Sequence, residues 1–217
     1  MNKEEWKAMS SKERVLYLLS YYFWVPLVMI GVIILIVFMV RGSKNNKEEI
    51  NSGTTVNIGI SEEGRKYLTE DYVLSKGQKL ETAEASLATE FLTDPSRPDN
   101  TDDGSERMAL VSHLQAGLYS YMIMDQYSYE EMQSTGIYGD LEKLMDSQML
   151  EKYKADLVDT SYEDNGKSIT YKGGLKLSNT SFYKAYHMND MEMYFVIIEM
   201  NGEHEAGQDM LEYILSK

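Results

Sequence analysis

The longest apolar stretch of the chain runs from Val15 to Val40, where no Asp, Glu, Lys, Arg or His occurs. Its strongest part is the 18-residue segment from Phe23 to Val40. As a helix this segment spans roughly 27 Å, close to the hydrocarbon thickness of a bilayer. A core helix is rarely apolar on every face, so the pattern predicts a transmembrane helix over 23–40. Tyr17, Tyr21, Tyr22 and Trp24 crowd its N-terminal end, where amphipathic rings favour the headgroup level, and Arg41 marks the exit. Pro26 falls near the first turn, where a missing N–H is tolerated. A cleaved signal peptide has a shorter apolar core and a small-x-small site, neither of which this run has, so a retained signal anchor is expected. Before the span, Asn2-x-x-Glu5 and Ser10-x-x-Glu13 have the form of capping boxes that open helices. That lead either lies on the membrane surface through Trp6 and Met9 or extends the anchor.

After the span, residues 41–53 are polar, include Gly and Ser, and lack periodicity, which reads as a linker. Alternation then begins: Val56, Ile58 and Ile60 predict a strand, so the folded domain is expected over 54–217. The segment 83–92 has helical composition and is followed by a Pro- and Asp-rich loop. Met108, Val111 and Leu114 predict one apolar helix face, with Gly117 as the stop. Residues 118–125 are apolar on both faces, the pattern of a central strand, and Ser128-x-x-Glu131 predicts a short helix that Gly136 ends. Helical pieces follow over 139–157, then a hairpin at Asn165-Gly166 and a buried strand in 191–200. From about Glu203 a closing helix has Met210, Leu211, Ile214 and Leu215 on one face. The order of elements is that of an α/β domain.

Charge adds orientation and excludes partners. Of the net −14, residues 1–22 contribute +1 (Lys3, Lys7, Lys12 and Arg14 against Glu4, Glu5 and Glu13), leaving −15 on 41–217. Such a domain repels phosphate backbones, so no nucleic-acid partner is expected. The acidity either keeps the surface solvated or recruits a cationic partner. Basic residues are nearly balanced across the span, and Lys3 with the terminal amine tips the count. Residues 1–22 are therefore expected in the cytoplasm and 41–217 outside, in a single-pass protein of the cell membrane. With no cysteine, a disulfide framework, a thiolate nucleophile and a Cys-bound metal are excluded.

Several stretches resemble the type 2 extracytoplasmic solute-binding proteins, in particular membrane-anchored relatives from Gram-positive bacteria. In residues 106–146 a helix ends in Ala116-Gly117, a strand ends in Asp125, and Gly136 precedes Asp140-Leu141. Residues 173–186 and 193–215 are similar to the segment after the central hairpin and to a late strand with its following helix. The resemblance implies a reduced lobe of that fold: 164 residues do not make two lobes around a cleft, and the usual lipidated cysteine is absent. It carries over no ligand-binding residue, because function does not follow from fold alone.

The chemistry-bearing residues form no catalytic constellation. His113, His187 and His204 are the only histidines, no two of them four residues apart, and no HExxH, GxSxG, P-loop or GxGxxG occurs. His113 reads as a surface or boundary residue of its helix. Asp99, Thr101 and Asp103 fit the opening of a calcium loop around Gly104, but Leu110 stands where the bidentate Glu belongs. Neither a metal nor a cofactor is expected. Asp125 closes the most buried strand, at the end where open α/β sheets bind ligands; its role is either to cap the next turn or to contact a ligand. Tyr119, Tyr121 and Tyr127 surround that strand and either line a recognition surface or pack the core. The expected function is noncatalytic binding of an extracytoplasmic ligand or protein. Solute capture for an import system is one alternative, and a hydrolase using scattered carboxylates is another.

Overall fold

The computed structural model describes residues 3–22, 28–33, 47–97, 104–187, 191–199 and 204–216. They fall into two units, Met1–Asn46 and Lys47–Lys217.

In the first unit, helices α1 (Lys3–Ala8) and α2 (Ser11–Tyr22) are separated at Ser10. The second capping box forms: the Ser10 N–H donates to Glu13 Oε2 at 2.8 Å, and the Glu13 N–H donates to Ser10 Oγ at 3.4 Å. Asn2, of the first box, lies outside the described residues. Of the expected span only 28–33 are described; they are helical, and Val28, Met29, Ile30, Val32 and Ile33 are exposed. Among the described residues no helix is long and apolar enough to cross a membrane.

The second unit is built on a six-stranded mixed sheet in the order β2-β1-β3-β6-β5-β4. The strands are β1 (Glu48–Val56), β2 (Ala83–Phe91), β3 (Tyr121–Met124), β4 (Leu157–Asp164), β5 (Lys167–Lys176) and β6 (Tyr194–Ile197). β1 lies parallel between β2 and β3, whereas β6, β5 and β4 extend the sheet antiparallel. Side chains alternate on β3. Tyr121 and Ile123 enter one apolar layer with Phe195 and Ile197; Met122 and Met124 enter the other with Tyr194 and Val196. All four β3 residues are fully buried, as expected of a strand covered on both faces.

The first layer is closed by α3 (Glu62–Lys66), which runs through a π turn at Tyr67–Asp71 into α4 (Tyr72–Ser75), and by α9 (Ser181–Tyr186) and α10 (Glu205–Leu215). The second is closed by α5 (Ser105–Gln115) and α6 (Gln126–Met132). Two short helices, α7 (Leu141–Leu144) and α8 (Ser147–Tyr153), link β3 to β4 by way of α6. The hairpin is at Asn165-Gly166, with φ of 50° and 75°. The closing helix α10 buries Met210, Leu211, Ile214 and Leu215.

Five expectations are corrected. The strand runs Glu48–Val56, so residues 48–53 belong to the domain rather than to a linker, with Asn51 buried among its hydrogen bonds. Val56, Ile58 and Ile60 do not share a strand face, because the left-handed Asn57 ends the strand and Ile58 enters the opposite layer from Val56. Residues 83–91 form strand β2, not a helix: pairing with β1 and burial of Ala83, Ala85 and Leu87 on one face override local propensity. On α5 the buried stripe is Leu110 and Leu114, four residues apart, while Met108 and Val111 are 76% and 43% exposed. The helix expected to open at Ser128 is instead capped by Asp125, and Ser128 is buried in its first turn.

Candidate functional site

The parallel trio makes β1 the strand from which the chain crosses to β2 on one side before reaching β3 on the other. The carboxyl ends of β1 and β3 therefore form a topological switch point. Asn57, the residue after β1, is fully buried and holds φ 56°, a left-handed conformation that Asn tolerates better than most residues. Its side-chain amide ties three segments together. Nδ2 donates to Ser128 Oγ at 2.7 Å, Thr93 Oγ1 at 3.3 Å and Asp125 Oδ1 at 3.4 Å. Oδ1 accepts from the N–H of Thr93 at 2.7 Å and that of Asp94 at 3.2 Å. The Arg97 guanidinium donates to the Asn57 carbonyl. Asp125 Oδ1 also accepts from the Ser128 N–H at 2.9 Å, capping α6. Thus the turn after β2 folds onto this edge and uses the donors and acceptors of Asn57 internally.

The opposite edge is open. A cavity of about 580 Å³ lies at the amino ends of β1 and β3, beside the start of α10; Glu49, Asn51, Tyr119, Ser120, His204 and Glu205 contribute polar lining. Asn51 Nδ2 donates to the Ala206 carbonyl at 2.6 Å and to Tyr72 Oη at 3.1 Å, while its Oδ1 accepts from Ser120 Oγ at 2.6 Å. These bonds dock α10 on the strand ends. The docking is close: a Cβ on Gly207 would lie 2.4 Å from the Ser120 carbonyl oxygen. His204 occupies the N-cap position without a side-chain capping bond, and among the described residues its buried Nδ1 has no hydrogen-bond partner. Tyr119 Oη and His113 Nδ1 share a hydrogen bond of 3.0 Å. Burial raises the Tyr119 hydroxyl above its ordinary pKa, so at neutral pH it is a hydrogen-bonding group and not a phenolate nucleophile.

The four candidate ligand residues do not converge. Asp125 and Tyr127 stand at the closed edge, Asp125 half-buried as a cap and Tyr127 39% exposed. Tyr119 lines the open cavity. Tyr121 is fully buried and stacks on Phe195, with centroids 5.4 Å apart. Among the described residues its hydroxyl has no hydrogen-bond partner, and burial raises its pKa. Pattern gives Asn57 no role and marks His204 only as one of three isolated histidines, because a lone Asn after a strand and a lone His before a helix carry no periodic signal. Of the expected membrane-interface residues, Tyr17 packs edge-on to Trp6, with centroids 6.3 Å apart. Tyr21 and Tyr22 lie in α2, and Trp24 and Arg41 lie outside the described residues. Among the described residues no group of three or more His, Asp or Glu could hold a metal; Asp99, Thr101 and Asp103 lie outside them. No family model, curated protein or solved structure matches the chain.

Proposed function

We propose that this protein is a noncatalytic binding protein of the cell membrane, anchored through residues 23–40 with its N-terminus inside and its α/β domain outside. On this reading it is a reduced relative of the type 2 extracytoplasmic solute-binding proteins. The anchoring half is supported by the charge-free run from Val15 to Val40. The binding half rests on one observation: a cavity of about 580 Å³ at the amino edge, in whose lining Asn51, Ser120 and Tyr119 are already fixed by other hydrogen bonds. Polar groups that are already held in place can bond a polar ligand without first having to be ordered, which lowers the cost of binding.

Two experiments test the two halves. Cysteines introduced at Ser43 or Ser216 of intact cells should react with a membrane-impermeant maleimide, and one at Ser10 should not; labelling at Ser10 alone reverses the topology. For binding, a panel of small polar solutes is screened against the full chain by thermal shift. A solute that raises Tm should lose its effect when Leu118, an exposed residue of the lining, is replaced by Trp. If no solute shifts Tm, or Leu118→Trp leaves the shift intact, the cavity is not the binding site.

A further inference from the structure

A second cavity, of about 470 Å³, lies on the antiparallel side of the domain, between the β4–β5 hairpin and the 136–140 loop. Its aromatic walls follow from strand register. Thr160 pairs with Tyr171 and Tyr162 with Ile169, so Tyr162 and Tyr171 are diagonal neighbours on one face of the hairpin. Their rings meet edge to face, with centroids 6.1 Å apart and planes at 86°. The Tyr171 hydroxyl donates to the Tyr138 carbonyl at 2.6 Å, which fixes that ring. The Tyr162 ring lies over Gly136, where a Cβ would come within 3.0 Å of it and where φ is 70°. A bare glycine therefore sets how deeply the ring can sit.

The charged groups of the cavity are not equivalent. Asp140 is committed: its Oδ1 accepts from the Glu142 N–H at 3.2 Å, and its Oδ2 pairs with Lys143 at 2.8 Å. Glu199 is held beside them by backbone bonds, its N–H donating to the Ile137 carbonyl at 2.9 Å and the Gly139 N–H to the Ile197 carbonyl at 2.9 Å. Its carboxylate makes no hydrogen bond or ion pair among the described residues and feels the Lys143 ammonium only at longer range. Both carboxylates act on the Tyr171 hydroxyl, which is pushed up to about 12 by burial first and then by its tyrosine neighbours and these acids. With Lys143 neutralised by Asp140, the cavity carries one uncompensated negative charge against aromatic faces, in a domain whose field already gathers cations.

We propose that this cavity binds an organic cation, an ammonium or guanidinium group on an apolar stem, with Glu199 as counter-ion and the Tyr162 ring as its cation–π wall. A neutral sugar would stack on the same rings but gains little from an unpaired carboxylate. The cation is either a free small molecule or a Lys or Arg side chain of a polypeptide. The site is independent of the amino-edge cavity, and neither proposal needs the other.

The test uses the full chain in a polyoxyethylene detergent, which has neither sugar nor choline, and titrates it by NMR and calorimetry. The probes are tetramethylammonium, arginine amide, a short Lys/Arg peptide and maltotriose. The cationic probes should bind saturably, with tetramethylammonium protons shifted upfield by the ring and affinity falling as salt is raised. Glu199→Gln, isosteric and at an exposed position, should weaken binding about tenfold, and Tyr162→Leu by about fivefold. A peptide that binds tighter than arginine amide identifies a polypeptide source; equal affinities identify a free cation. Absence of saturable cation binding, affinity unchanged in Glu199→Gln, or maltotriose binding as tightly as the cations would each overturn the proposal.

Discussion

The two ends of the parallel trio solve the same problem differently. At the carboxyl edge, the turn after β2 brings Thr93, Asp94 and Arg97 onto Asn57, and Ser128 and Asp125 complete the ring of bonds. At the amino edge, Asn51 also bonds in several directions, but the chain around it leaves a cavity of about 580 Å³. Open α/β sheets usually bind ligands at the carboxyl edge because helix N-termini and loops converge there. Among the described residues the groups that converge on the carboxyl edge bond one another, which makes that edge a structural joint.

If the carboxyl edge is such a joint, Asn57→Ala should be the most damaging substitution. It removes the Oδ1 that accepts from the Thr93 and Asp94 N–H groups and places a side chain without compensating bonds at φ 56°. A loss of about 3–4 kcal/mol in denaturant unfolding is expected; a loss below about 1 kcal/mol would break the comparison. Next is Gly207→Ala at the open edge, where the added methyl must move α10 off the Ser120 carbonyl, at about 2 kcal/mol. Third, Asp125→Ala should cost about 1 kcal/mol as a lost cap, while Asp125→Asn should stay within a few tenths of wild type. If Asp125→Asn abolished ligand binding at full stability, the carboxyl edge would be a site after all.

The smallest effect is expected at the charged seam beside the same edge. Lys176 and Glu192 pair at 3.0 Å, and the Tyr194 hydroxyl donates to Glu192 at 2.9 Å. The Lys176 bond, then the Tyr194 bond, holds the Glu192 carboxyl below its ordinary range. Its contribution to stability is therefore present above the usual carboxylate range and lost as pH falls through the folded value. Both side chains are more than a third exposed, so Glu192→Gln should change stability by only a few tenths of a kcal/mol, and less at high salt. Unfolding curves for Glu192→Gln and wild type should converge at low pH.

Much of this fold is legible where chemistry is local. Asn165-Gly166 specifies its turn, and the continuous apolar runs around β3 and β6 announce strands covered on both faces. What is lost is what depends on a distant partner. Ala83, Ala85 and Leu87 become a strand face only because β1 lies alongside, and Asn51 looks like a linker residue until Tyr72, Ser120 and Ala206 surround it. The candidate sites divide the same way. Asp125 is visible as the end of a buried strand, and its capping role fits the ordinary preference of Asp there. Asn57 and His204 are single polar residues whose meaning is three-dimensional, and the Tyr162–Tyr171 pair depends on hairpin register.

The place where the N-terminal segment joins the sheet has a mechanical consequence. The chain enters the domain at Lys47 and becomes β1 at once, an interior strand with parallel neighbours on both sides. A pull on the chain before Lys47, directed along β1, acts lengthwise on that strand. The β1–β2 and β1–β3 ladders are then loaded in shear, so many hydrogen bonds share the force instead of parting one at a time. An edge strand attached at the same point would peel like a zipper. Against such a pull β1 is held by two ladders at once.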